Sequence, residues 1–178
     1  KRGHESIIEH YSLSVRFIVD RGVTHELVRH RLVAYSQEST RFCNYAGSGF
    51  DGHVTYIIPP WLKLEEGVYR VDPFKNKYYI DEVETCPTPD GRNWLSSLAE
   101  SEMTYLNRVE HSGWSPQQAR SVLPNALKTE IVASANLREW RHIFKMRAQG
   151  VAGKPHPQMS EVMVPLLKKK KKKIPVVF

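Results

Sequence analysis

Arg29-His30-Arg31 and Ser39-Thr40-Arg41 stand seven residues apart. Guanidinium groups grip phosphate oxygens two at a time and hydroxyls add neutral donors, so this run suits a phosphorylated ligand. Gln37, inside the spacer, can donate and accept together through its amide, which matches an imide edge such as that of uracil. Together these are parts for a nucleotide site. Two further groups carry comparable chemistry. One is His4-Glu5-Ser6 with Glu9 and His10. The other is Ala119-Arg120 before Leu123-Pro124, followed by Asn136, Arg138, His142 and Arg147.

These groups need elements to hold them. Tyr11, Leu13, Val15 and Phe17 alternate with polar residues, the period of a half-buried strand ending near Gly22. Thr24 reads as the N-cap of a helix through Glu26 to about Leu32, which would put Glu26, Arg29 and His30 on one face. His53 to Ile58 is a second strand, stopped by Pro59-Pro60. Residues 63–90 mix Gly, Pro, Asp and aromatics without a usable period. Asp90 to His111 has helical spacing and stops at Gly113; Ser115-Pro116 opens the next helix, which Pro124 interrupts. Glu130 to Ala135 is a short strand, and Asn136 caps a helix from Leu137 to about Arg147.

That helix has an apolar stripe of Leu137, Trp140, Ile143 and Phe144, and Arg147 falls on it. A buried cation without a partner is expensive, so Arg147 must be paired or reach a ligand. Arg138 and His142 share another face at i, i+4 spacing. A last helix runs from Pro157 to about Lys170, with Pro165 inside it.

The 178 residues suffice for one domain, with 40% hydrophobic and 25% charged residues. No apolar run approaches a membrane span and no signal-peptide pattern opens the chain, so no membrane partner is expected. Cys43 and Cys86 have unrelated contexts and form no metal-type pair; a reducing, cytoplasmic setting is the simplest reading, with no metal site. The net charge is +7, and removing the six lysines Lys168 to Lys173 leaves +1. Basicity is therefore mostly one local run, read as a solvated helix end, and it argues weakly for nucleic-acid binding.

The order Arg-His-Arg, spacer, Ser-x-Arg resembles the signature of the flavin-dependent thymidylate synthases. His4-Glu5-Ser6-x-x-Glu9-His10, Ala119-Arg120-x-x-Leu123-Pro124, Asn136-x-Arg138 and Arg147 are similar to further motifs of that family, in its order. The resemblance implies an α+β fold of thymidylate synthase-complementing type, a twisted, mainly antiparallel sheet packed by helices. It implies a single domain over residues 1–178. The chain opens inside a motif, which leads to the expectation of a preceding N-terminal segment.

By the same resemblance, FAD is held by His4, Ser6, Arg29, His30, Arg31, Asn136, Arg138 and His142. Deoxyuridylate (dUMP) is held by Glu26, Gln37, Ser39, Thr40, Arg41, Arg120 and Arg147. Several members carry glutamate where this chain has Gln37, and some carry glutamine where it has Glu26. The implied reaction makes dTMP, with methylenetetrahydrofolate giving the carbon and NADPH recharging the flavin. Arg147 is the polarising, catalytic group, beside a uracil ring nitrogen. The implied assembly is a homotetramer with shared active sites.

Neither cysteine has a flanking activation pattern, so thiolate attack on uracil is not expected. No Gly-x-Gly-x-x-Gly fingerprint is present, which fits a flavin site of another build. Two alternatives stay open: a related flavoenzyme leaving a different group on the same uracil carbon, and a basic nucleic-acid-binding module using the lysine run.

Overall fold

The computed structural model describes residues 5–50 and 52–178; His4 lies outside them. In chain order, a 3₁₀ turn (Ser6–His10) precedes β1 (Ser12–Asp20), α1 (Arg21–Leu27) and β2 (Ala34–Gln37). Then come β3 (Tyr69–Asp72), β4 (Lys77–Ile80), β5 (Val83–Thr85), α2 (Pro89–Glu110) and α3 (Pro116–Ala119). β6 (Lys128–Asn136), α4 (Leu137–Arg147) and α5 (Pro157–Lys173) complete the order. The class is α+β, with two small antiparallel sheets.

The chain packs as two compact units, one from Lys1–Gln37 with Thr129–Phe178 and one from Glu38–Lys128. In the first, the strand order is β1-β6-β2. Ser14 hydrogen-bonds Ser134 at 2.6 Å and Arg16 pairs with Glu130, so β1 and β6 run in opposite directions. β2 is antiparallel to β6, with Gln37 opposite Ile131. β6 buries every second residue, Thr129, Ile131, Ala133 and Ala135, as a half-covered strand should. Phe17, Val19, Leu27, Trp140, Ile143, Phe144, Met159 and Met163 join them in one core. Trp140 satisfies its buried indole N–H by donating to Leu13 O at 2.9 Å.

α1 begins four residues earlier than a Thr24 cap predicts. Asp20 is the N-cap: its Oδ1 accepts from Val23 N at 2.7 Å, and its other oxygen accepts from Gln158. Thr24 is fully buried and donates to Arg21 O. The helix closes at Leu27, so Arg29 and His30 lie in the turn beyond it. The expected shared helical face of Glu26, Arg29 and His30 is therefore corrected to a helix end followed by a turn.

In the second unit, α2 starts at the Thr88 cap, whose hydroxyl accepts from Gly91 N. It buries Leu95, Leu98 and Tyr105, and Tyr105 joins Tyr45, Val54, Ala119 and Leu127 in a smaller core. The stretch without a readable period folds as the antiparallel meander β3-β4-β5. Asp81 and Glu82, both at positive φ, form its two-residue turn. Gly67 is needed beside it, because a Cβ there would meet the Ile80 side chain at 2.7 Å. His53 to Ile58 forms no strand; Tyr56 makes only an isolated bridge to Leu127. Ser115 is the N-cap of α3 with Pro116 in its first turn, as expected, and Gln118 adds a capping box.

Candidate functional site

The first unit gathers Arg147, Glu26 and His30 around one guanidinium. Asn136 caps α4 by accepting from Glu139 N at 2.9 Å, and the helix then carries Arg147 to its last turn. There Nη1 donates to Glu26 Oε2 at 2.7 Å and Nη2 to Glu26 O at 3.2 Å. Nε donates to His30 Nε2 at 3.2 Å. The cation on the apolar stripe is thus paired, as its cost requires.

His30 is 8% exposed. Burial, then Arg147, then His142 hold its imidazole down at about 4, so it is neutral near pH 7 and able to accept from Arg147. With Nε2 accepting, the ring proton belongs on Nδ1. Nδ1 faces Glu139 Oε1 at 3.7 Å. Burial pushes the Glu139 carboxyl up, and His142 pulls it back. Tyr35 adds a hydroxyl that donates to Leu27 O at 2.5 Å; burial and then Glu139 raise it to about 12, so it remains protonated.

Sequence reasoning missed Glu139 and Tyr35. Glu139 precedes Ile143 by four residues and so borders the buried stripe, which is the signal that could have found it. His30, Glu139 and His142 each offer a ligand-type atom within 4.8 Å of the others. Neighbouring ligands on a tetrahedral ion sit closer, at about 3.4 Å for typical bond lengths. The Arg147 cation on the same imidazole also opposes a metal, so a neutral imidazole with a carboxylate facing it at 3.7 Å and a second ring edge-on is the better description.

Asn136, Arg138 and His142 line a cleft of about 650 Å³ in the same unit, with Glu5, Glu9 and Lys145. Arg138 pairs with Glu5, at 3.3 Å, and with Glu9, and Arg141 pairs with Glu5 at 3.0 Å. Ser6 opens the 3₁₀ turn that packs on α4. Arg29 and Arg31 are exposed on either side of buried His30. His142 is exposed and meets the His30 ring edge-on. Gln37 spends its amide nitrogen on two buried hydroxyls, Thr24 at 3.1 Å and Thr129 at 3.3 Å.

The second unit gathers Ser39, Thr40, Arg41 and Arg120. Arg120 Nη1 donates to Thr40 Oγ1 at 3.0 Å. Arg41 Nε donates to Gln117 Oε1 at 3.2 Å, and its backbone N–H to Ser39 Oγ at 3.3 Å. These arginines are steered by neutral oxygens, which orient a guanidinium without cancelling its charge. Gln117 is a further residue that sequence reasoning did not name. Cys43 sits near this loop with its thiol donating to Glu38 Oε1 at 3.6 Å, and Cys86 is exposed.

The family model of the thymidylate synthase complementing protein matches residues 1–176. A flavin-dependent thymidylate synthase of Corynebacterium efficiens is 32% identical over 180 residues, covering 99% of this chain and 64% of that protein. One from Mycobacterium tuberculosis is 32% identical over 147 residues, with 82% and 53% covered. One from Pyrococcus furiosus is 30% identical over 148 residues, with 82% and 50% covered. The chain spans between half and two thirds of the length of these curated relatives. A match over nearly the whole chain, with the Arg-His-Arg turn, the Ser-x-Arg loop and Arg147 in place, makes it a member of the thymidylate synthase complementing protein family.

Proposed function

We propose that the chain acts as a flavin-dependent thymidylate synthase in the cytoplasm, turning dUMP into dTMP with methylenetetrahydrofolate, FAD and NADPH. The observation that carries this reading is the half-buried Arg147, held on three sides by Glu26 and a neutral His30. Such fixing keeps a cation in one direction, which is what polarising a developing charge needs. Set beside the uracil ring nitrogen between the two carbonyls, it favours the ionised ring and makes the ring carbon more nucleophilic.

The phosphate of dUMP belongs to Ser39, Thr40, Arg41 and Arg120, whose arginines keep their charge for an anion. Glu26 and Gln37 are the further nucleotide contacts. A flavin fits the first unit on one observation: the cleft offers Asn136, Arg138 and His142 as donors, with Arg138 already binding carboxylate oxygens that a diphosphate can replace. His4, Ser6, Arg29, His30 and Arg31 complete its binding set. Bound reduced flavin supplies the electrons of the reaction, and the chain's own residues bind, orient and polarise. Active sites shared across a homotetramer would let one copy's phosphate set serve another's Arg147.

Incubation with dUMP, methylenetetrahydrofolate, FAD and NADPH tests this. The expected product is dTMP by mass and chromatography. A product carrying another one-carbon group would instead favour the related dUMP-modifying enzyme, and unchanged dUMP would refute both.

A further inference from the structure

Glu139 is a buried carboxylate that the proposed chemistry leaves unused. It is 8% exposed, in the first turn of the helix that ends at Arg147, and its Oε1 faces His30 Nδ1 at 3.7 Å. His30 is clamped from the other side by Arg147 Nε at 3.2 Å. An imidazole between an acceptor and an obligate donor has only one tautomer that satisfies both, with the proton on Nδ1. Without the carboxylate, a buried Nδ1–H loses the negative charge that faces it at 3.7 Å, which favours moving the proton to Nε2. Nε2–H would then oppose Arg147 Nε–H, donor against donor.

We propose that Glu139 is a positioning residue for Arg147, acting through His30. The carboxylate sets the imidazole tautomer, the imidazole accepts from the guanidinium, and Glu26 holds the guanidinium's other edge. The order of the three residues on the chain hides this relay, because Glu139 and Arg147 are two turns apart on α4 and His30 comes from the turn after α1. The catalytic part of the proposal rests on the reading of Arg147 as the ring-polarising group.

Nuclear magnetic resonance on the full chain tests the relay without any assay of turnover. Histidine ¹⁵N shifts should show His30 with its proton on Nδ1 and a bare Nε2; a protonated Nε2 in the wild type overturns the proposal, whatever any variant does. The Arg147 Nε–H signal, identified by its loss in Arg147→Ala, should exchange with water about tenfold faster in Glu139→Ala, as for a lost acceptor. Glu139→Gln should restore most of the protection, since its amide oxygen can still accept. The Trp140 indole N–H, one residue away and bonded to Leu13 O, is the control. If Arg147 and Trp140 signals quicken together, or Arg147 does not change, Glu139 is only structural and the proposal fails.

Turnover adds the functional arm. Glu139→Ala should lower kcat about tenfold and dUMP KM less, and should add no further loss in an Arg147→Ala background, because the two act as one unit. Additive losses would overturn the catalytic part. The expected NMR pattern in a wild type that never converts dUMP would sink the proposed function and still support the relay.

Discussion

The two units treat the arginines of their candidate sites differently. In the first, Arg147 is tied to a carboxylate and a neutral imidazole, so its charge is compensated and its direction fixed. In the second, Arg120 and Arg41 lean on Thr40 and Gln117, so they are oriented but keep their charge. The contrast teaches how one residue type can be set for two tasks, which the proposed function assigns to a phosphate and to a ring. A phosphate needs net positive charge, and a ring needs a cation at one fixed angle. Carboxylate pairing costs the first property and secures the second.

The largest break in that comparison should come from Arg147→Ala. Loss of one well-placed electrostatic group costs about 3–4 kcal/mol, a hundredfold or more in rate. Flavin content should be largely kept, and Arg147→Lys should recover only part, since a point charge cannot reproduce a planar fork. Single-turnover methylation, flavin occupancy and melting temperature on the same preparation decide the matter. A destabilised variant with normal rates would make Arg147 a structural ion pair.

The first unit should also be the acid-sensitive one. His30 titrates near 4 when folded against 6.5 in an unfolded chain, so the unfolded state binds the extra proton between those values. Its contribution is fully present above pH 6.5 and is lost as the pH falls toward 4, reaching about 3 kcal/mol. Denaturant unfolding of wild type and His30→Gln at pH 7 and 4.5 checks this. The variant should lose less stability on acidification, and equal losses would remove His30 from the account.

Arg120→Ala should act on the phosphate alone. Hydrogen bonds to charged groups are worth about 1.5–3 kcal/mol, so dUMP affinity should fall roughly ten- to a hundredfold. Deoxyuridine binding should hardly change, and calorimetry with both ligands separates the two. Equal losses for nucleotide and nucleoside would erase the proposed difference between the units. The smallest effect belongs to Lys168–Lys173, mostly exposed at the end of α5. Replacing them with alternating glutamine and serine should leave dUMP affinity within a few-fold, because exposed charges are screened over about 8–10 Å. A large loss would place the run in a binding site.

Much of this frame was readable in the chain. α4 runs from Leu137 to Arg147 because an Asn cap, an apolar stripe and a final cation all point the same way, and Arg147 is paired because a stripe cation must be. α2 and the Ser115-Pro116 helix start were readable for the same local reasons. The start of α1 was misread because Asp20 and Thr24 are both capping residues, and only long-range packing buries Thr24 while Gln158 secures Asp20. The β3-β4-β5 meander was hidden because its tight turn uses Asp81-Glu82, without the glycine that usually marks two positive φ angles. Glu139 was hidden because its role depends on His30, more than a hundred residues away along the chain.

The visible absorption spectrum of the purified protein, as isolated and after addition of FAD, tests the central claim most directly. The account predicts a yellow protein with about one flavin per chain, because each copy carries one set of the flavin-binding residues. A colourless protein that takes up no added flavin would contradict it.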